Sequence, residues 1–67
     1  MRILCHFLRH GTDQKLLAEY MSAVPRAGEW VMFRGLVKPM RVTIVIYDLH
    51  ISSESETQVR VLIEDAD

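Results

Sequence analysis

Residues 40–51 read MRVTIVIYDLHI, and this stretch decides the fold class. Five consecutive β-branched residues occupy positions 42–46, and Tyr47 follows them. β-branched and aromatic residues are enriched in strands, and a short continuous apolar run is typical of a buried one. Pro39 would lie at the start of the strand, where a missing N–H costs little. The stretch therefore predicts a long strand in a mainly β protein.

Two further stretches alternate between apolar and other residues, as strands with one buried face do. Residues 1–10 (MRILCHFLRH) are apolar at positions 1, 3, 5 and 7, and residues 57–64 (TQVRVLIE) are apolar at 59, 61 and 63. Gln58 and Arg60 are expected to point outward. A shorter strand is predicted within residues 29–34, before a turn at Arg34 and Gly35. The residues expected to face the core of the two long strands are Met1, Ile3, Cys5, Phe7, Val59, Val61 and Ile63.

Residues 14–24 (QKLLAEYMSAV) support two readings. Their composition favours a helix, which Thr12 or Asp13 could cap. A hairpin partner for the first strand is expected, however, directly after the short turn at residues 10–13. Two folds therefore stay open: a five-stranded barrel or half-open antiparallel sheet, or an α+β fold with residues 14–23 as a helix packed on four strands. The residues that follow helical spacing are Leu16, Leu17, Tyr20, Met21 and Val24.

The segment Pro25-Arg26-Ala27-Gly28-Glu29 leads into the short strand, Arg34-Gly35 and the long strand. Over roughly residues 24–64 this arrangement resembles a group of short, mostly uncharacterised bacterial and phage proteins with a Pro-Arg-x-Gly-Glu element. The resemblance implies a small SH3-like barrel with residues 14–23 as its second strand, and a phage or mobile-element accessory role. It implies no catalytic residues. Trp30 and Met32 depart from it, because such proteins tend to be polar at these positions.

The length of 67 residues predicts one small domain, residues 1–64, with a frayed acidic end at residues 65–67. Cys5 is the only cysteine, which excludes an internal disulfide and favours a buried, inert thiol in a reducing compartment. The sequence shows neither a signal peptide nor an apolar run of about 20 residues. We therefore expect a cytoplasmic protein without a membrane span.

The candidate catalytic and metal-ligating residues do not form a recognisable set. His6 and His10 would lie on one face of a strand but roughly 13 Å apart, at about 3.3 Å per residue, too far to share an ion. Asp48 and His50 match no metal-ligand spacing. A chain of this size is also expected to have little room for a pocket of about 300 Å³. We expect no enzyme activity, no metal, no cofactor and no small-molecule substrate.

The more informative feature is an excess of apolar residues on outward positions. With Val31 and Phe33 inward, Trp30 and Met32 face outward, and Ile44 and Ile46 are expected outward unless a bulge shifts the register. A large apolar patch marks a partner or a second packed layer. The sequence therefore predicts an interaction module that self-associates or docks on a larger protein; the competing explanation is cover by a helix at residues 14–23. The predicted interaction residues are Leu4, Leu8, Trp30, Met32, Ile44, Ile46 and Leu62.

The alternative function is nucleic-acid binding by a small β-barrel. The net charge is −1, but residues 1–50 carry seven basic side chains against four acidic ones. In this alternative Trp30 or Tyr47 would stack on bases. A nucleic-acid binder usually carries a basic excess, which the whole chain lacks, so this function ranks second. The candidate phosphate contacts are Arg26, Arg34, Lys38 and Arg41.

Overall fold

The computed structural model describes residues 2–12, 14–35 and 37–66. These residues form five strands in one sheet. Within these residues there is no helix, and so none that could cross a membrane. The sheet order is β2-β1-β5-β4-β3, and the sheet curls into a half-barrel. The strands are β1 (Arg2–Arg9), β2 (Lys15–Met21), β3 (Trp30–Val31), β4 (Met40–Tyr47) and β5 (Glu56–Asp65).

The small, mainly β, half-open sheet predicted from the sequence is confirmed, with one difference in strand direction. β1 and β5 pair in parallel over their whole length, from Arg2 beside Glu56 to Arg9 beside Ile63. The other three pairs are antiparallel. A parallel pair needs a long connection between its strands, and here β2, β3 and β4 provide it. The sheet is therefore mixed rather than purely antiparallel.

The core lies on the concave side of the half-barrel. Phe7, at its centre, is fully buried and meets the edge of the Phe33 ring at a centroid distance of 4.5 Å. Ile3, Val31 and Val45 pack against it from the partly buried positions. The inward prediction is thus confirmed for β1 and β5, whereas Met1 lies outside the described residues. The buried core residues are Cys5, Phe7, Met40, Val42, Val59, Val61 and Ile63.

The second strand settles the ambiguity at residues 14–24. β2 pairs antiparallel with β1 from Ile3 opposite Met21 to Leu8 opposite Lys15, so the helical alternative is wrong. The Arg9 N–H donates to the Gln14 carbonyl oxygen at 3.0 Å. This hydrogen bond closes the turn between β1 and β2 and places β2 beside β1. Pairing along β1 outweighs a helix propensity worth only tenths of a kcal/mol per residue. Asp13, a proposed cap, lies outside the described residues.

Three strand boundaries differ from the prediction. β4 ends at Tyr47 rather than 51, because Asp48 begins a turn in which the Ile51 N–H bonds back to its carbonyl oxygen at 3.2 Å. β3 has only two residues. β5 continues to Asp65, which pairs with Met40, so position 65 is not frayed. Asp67 lies outside the described residues.

A bulge in β4 decides which way its isoleucines point. Val42 lies opposite Ile63 and Ile44 opposite Leu62, so Thr43 is an extra residue in β4. Strict alternation from the buried Val42 would have turned Ile44 and Ile46 inward, contrary to their predicted direction. The bulge reverses the alternation beyond it. Ile44 and Ile46 do lie on the outer face, but only because of this bulge, which also places Val45 on the core side.

Candidate functional site

The convex face of the sheet carries a row of apolar side chains across its three central strands. Residues directly opposite one another in a sheet share a face. Leu8 of β1 lies opposite Leu62 of β5, which in turn lies opposite Ile44 of β4. Two positions further along β4, Ile46 extends the row, whereas Leu4 lies four positions from Leu8, beyond His6 and Arg60. We call Leu8, Ile44, Ile46 and Leu62 the outer patch.

Trp30 lies at one margin of the outer patch. It pairs with Arg41, which pairs with Glu64, and all three therefore lie on the convex face. Its side chain is 63% exposed, so it is not part of the core. A shallow groove of about 300 Å³ separates it from Lys38 and Pro39.

Met32 lies apart from the outer patch, although the sequence grouped it with Trp30. It is exposed, but it lines a groove with Leu17, Phe33 and Arg34, and Leu17 packs on the concave side. β3 ends at Val31, so strand alternation does not fix the direction of residue 32. The structure thus brings six of the seven predicted interaction residues onto the convex face and separates Met32 from them.

An ion pair borders the outer patch near the end of β4. The Arg60 guanidinium donates two hydrogen bonds to the Asp48 carboxylate, at 2.8 and 3.0 Å. Asp48 is only 5% exposed. The hydrogen bonds from Arg60 lower the pKa of the Asp48 carboxyl below its usual value, although burial acts in the opposite direction. His6 lies beside this pair and hydrogen-bonds the Gln58 side chain at 2.7 Å.

A second ion pair borders the patch near Trp30. Arg41 donates to the Glu64 carboxylate at 2.6 Å, and this hydrogen bond lowers the pKa of Glu64. His10 hydrogen-bonds the Thr43 hydroxyl at 2.7 Å across the bulge. The Asp48 and Glu64 carboxylates are therefore each matched by a guanidinium from the same sheet. The convex face presents apolar surface between two internally neutralised pairs.

A small depression beside Leu8 was not foreseen from the sequence. Its volume is about 240 Å³, and Leu8, His6 and the Asp48–Arg60 pair line it together with Lys15 and Ile51. Ile51 reaches it because the chain turns sharply after Asp48, and nothing local in the sequence marked that turn. Small-molecule pockets usually measure about 300–1,000 Å³. This depression has the size for one side chain of a partner.

The four candidate phosphate-binding residues do not form one basic surface. Arg41 is engaged with Glu64, and Lys38 lies near Trp30. Arg26 lines a different groove, together with Tyr47, and Arg34 lines the groove of Met32. Each proposed stacking ring therefore has a different cationic neighbour, and no single track connects all four residues.

The open side of the half-barrel holds larger grooves than the sequence led us to expect. One, of about 620 Å³, lies between residues 23–27 and the concave side of β4 at Val45 and Tyr47. The prediction that a chain of this size has little room for a pocket of about 300 Å³ is therefore wrong where open surface grooves are concerned. Arg26 is the only charged side chain among the residues that line this groove. Among the described residues, no three His, Cys, Asp or Glu side chains are grouped to hold a metal ion.

Comparison of the chain with protein-family models, curated proteins and solved structures gave no match. The surface of the chain itself is therefore what points to a function.

Proposed function

We propose that the protein is a small protein-interaction module, which self-associates and docks on a protein partner through the outer patch. One observation carries the proposal: residues 15–21 form a strand at the edge of the sheet, so no helix from this segment covers the convex face. In the apolar row, Ile44 is exposed and Leu8 and Leu62 are half-buried, so the row stays partly open to solvent or to a partner. Contiguous apolar surface that reaches solvent is typical of interaction sites.

The polar neighbours of the outer patch fit a protein interface. Such interfaces have an apolar centre, few charges within it and a polar rim. Here the two ion pairs lie at the rim, and both carboxylates are already neutralised by arginines. The depression beside Leu8 would accept one anchoring side chain of the partner, and Trp30 would close the opposite margin. Buried aromatic anchors often contribute most of the binding energy in such an arrangement.

The docking proposal is tested with a charge introduced into the outer patch. Partners are captured from the source cells and identified by mass spectrometry, and the affinity of the purified partner is then measured. Leu8→Asp should weaken binding at least tenfold, about 1.4 kcal/mol. The matched control is Val37→Asp, because Val37 is also apolar but lies outside the strands and is 92% exposed. Equal affinities for the wild type and a folded Leu8→Asp variant would refute docking through the patch.

Nucleic-acid binding is the second candidate, supported by the proximity of Trp30 to Lys38. Salt separates the two functions, since phosphate neutralisation makes affinity fall steeply as salt rises, whereas an apolar interface responds little. The SH3-like relationship, the phage or mobile-element role and a cytoplasmic location remain predictions. The single buried cysteine is consistent with a reducing compartment.

A further inference from the structure

One edge of the sheet is only partly covered. β3 pairs with Met40 and Arg41. The Gly28 N–H donates to the Val42 carbonyl oxygen, and the Val42 N–H donates to the Glu29 carbonyl oxygen, each at 2.8 Å. The chain then turns away, as the Glu29 N–H bonds back to the Arg26 carbonyl oxygen. No strand among the described residues pairs with the remaining part of this edge, residues 43–47. We call residues 43–47 the open edge.

The peptide groups of the open edge point outward in a fixed pattern. The Asp48 N–H donates to the Gln58 carbonyl oxygen of β5 at 2.9 Å, so the N–H of residue 48 faces β5. Successive residues of a strand direct these groups to alternate sides. The N–H and C=O groups of Tyr47 and Val45 therefore face away from β5, toward the open edge. They are positioned to pair with another strand.

The open edge also has few of the features that usually prevent such pairing. Natural edge strands are guarded by charged residues, prolines or bulges. The other edge strand, β2, has Lys15, Glu19 and an irregularity in its register between Phe7 and Leu8 of β1. The open edge reads TIVIY and contains no charge and no proline; its one guarding feature is the bulge at its first residue, Thr43. A β-branched edge that carries no charge, on the opposite side of the sheet from a charged edge, points to a specific strand partner.

We infer that the partner of this edge is a second copy of the chain, paired antiparallel about a two-fold axis at Val45. The sequence of the open edge is nearly symmetric about this residue, with isoleucine at both 44 and 46. In that pairing Ile44 of one copy lies opposite Ile46 of the other on the convex face. A two-fold interface requires such a self-complementary surface. An unrelated peptide would not require this symmetry.

The pairing would join two half-barrels through β4 into one continuous sheet, with β3 of each copy on the same edge of β4 as the second copy. It would bring together the two outer patches at their Ile44 and Ile46 ends, and it would cover Ile44 and Tyr47, which are 42% and 54% exposed. The groove of about 620 Å³ beside Val45 leaves space on the concave side. This inference rests on the self-association in the proposed function, but not on docking through the outer patch.

Amide hydrogen exchange measured by NMR tests the pairing directly. At low micromolar concentration the Val45 and Tyr47 amides should exchange rapidly, and near millimolar concentration, where sedimentation shows a dimer, their protection should rise at least tenfold. Exchange of the Ala18 and Tyr20 amides on β2, the strand at the opposite edge of the sheet, is measured in the same samples for comparison. A dimer without added protection at Val45 and Tyr47 would overturn the edge pairing while leaving self-association intact. A monomer at every concentration would overturn both.

Charge exchange at the two-fold axis provides a second test. Ile44→Lys combined with Ile46→Lys, and Ile44→Glu combined with Ile46→Glu, should each give a folded monomer, whereas an equal mixture should form a heterodimer. If both variants fold and their mixture stays monomeric, the inference is wrong.

Disulfide cross-linking at the two-fold axis provides a third test, which introduces no charged residue. Val45→Cys should form an intermolecular disulfide under mild oxidation, because paired Cα atoms lie about 5.5 Å apart, within disulfide range. Ala18→Cys on β2 is the control and should cross-link far more slowly. Equal cross-linking of the two variants would contradict the pairing at Val45.

Discussion

The side of the sheet on which a residue lies decides its contribution to stability or to binding. Phe7 and Trp30 illustrate this, since both are large aromatic residues on strands. Phe7 is fully buried against Phe33, whereas Trp30 lies on the convex face and is mostly exposed. Burial of apolar area stabilises a fold roughly in proportion to the area removed from water. The two rings should therefore respond differently to truncation.

Phe7→Ala should cost about 3–5 kcal/mol of unfolding free energy, as truncations in a core do. The whole domain is expected to have a stability of only a few kcal/mol at about 0.05–0.15 kcal/mol per residue. Much of this variant should consequently be unfolded at 25 °C. Circular dichroism with urea titration measures the change. A loss below 1 kcal/mol would show that the concave side is not the core.

Trp30→Ala should leave the unfolding free energy within about 0.5 kcal/mol of wild type, as surface substitutions do. Partner affinity should fall by about 2 kcal/mol if the ring anchors the interface. Melts are compared at concentrations where both proteins are monomeric. Unfolding of the variant, with binding retained in the folded fraction, would assign Trp30 to the core and contradict its place at the margin of the patch.

Cys5 should resist alkylation in the native protein and react fully in denaturant. Its side chain is fully buried, and burial raises the pKa of the thiol, so the reactive thiolate is both scarce and inaccessible. Mass spectrometry after timed iodoacetamide treatment measures the rate. If the native protein were labelled as fast as the denatured protein, the inward orientation of the Cys5 side chain on β1 would be contradicted.

At the scale of the element, β4 contributes to the core, to the outer patch and to an ion pair. The bulge at Thr43 and the turn at Asp48 make this possible. The bulge at Thr43 turns Ile44 and Ile46 to the convex face while Val42 and Val45 stay in the core. Asp48 ends the strand and holds Arg60 of β5. Without the bulge, Ile44 and Ile46 would point to the core, and different residues of β4 would direct their peptide groups to the open edge. The outer patch thus depends on one extra residue.

The Asp48–Arg60 pair should make stability depend on acidity. The pKa of Asp48 is lowered from its usual 3.8 by hydrogen bonds from Arg60. A carboxyl with a lowered folded-state pKa stabilises the fold fully above its unfolded-state pKa, and the contribution disappears as the pH falls through the folded-state value. Asp48→Asn should cost about 1 kcal/mol at pH 7. The variant should also lose less stability than wild type between roughly pH 5 and pH 2.

Urea denaturation at several pH values measures this effect. Glu64→Gln is the matched control, because the pKa of Glu64 is also lowered, by Arg41, but that pair is more exposed. If the unfolding free energies of wild type and Asp48→Asn fell equally as the pH is lowered, the Asp48–Arg60 pair would not stabilise the fold.

At the scale of the whole molecule, the half-barrel leaves one side open and one edge unpaired. A chain of this size buries only about 60% of the surface that its unfolded form exposes. Residues 23–27 and Phe33 cover part of the opening, and the grooves beside them remain. A small domain of this kind often gains the missing stability from a partner chain. Association at the open edge would supply it.

The thermal midpoint of the wild type should therefore rise with protein concentration, because association and folding share one equilibrium in a dimer. Circular-dichroism melts between about 5 and 500 μM measure the trend. The Ile44→Lys, Ile46→Lys variant should show a midpoint independent of concentration. A constant midpoint in the wild type would contradict self-association in this range.

The sequence by itself determined the presence of β1, β4 and β5 and the inner faces of β1 and β5. Alternation is a local property, so apolar residues at every second position reveal which side chains share a face. It placed Cys5, Phe7 and Val61 in the core, and it marked Leu8 and Leu62 as outward residues. These placements needed no knowledge of which strands pair.

Only the tertiary structure decided whether residues 15–21 form a helix or a strand, the parallel pairing of β1 with β5, and the bulge at Thr43. Each depends on contacts between residues far apart in the chain, such as Phe7 with Val61 or Ile44 with Leu62. A weak helix propensity gives way when a neighbouring strand offers a full set of backbone hydrogen bonds. The outer patch could be anticipated residue by residue, but the row across three strands and the open edge beside it exist only once the strands are paired.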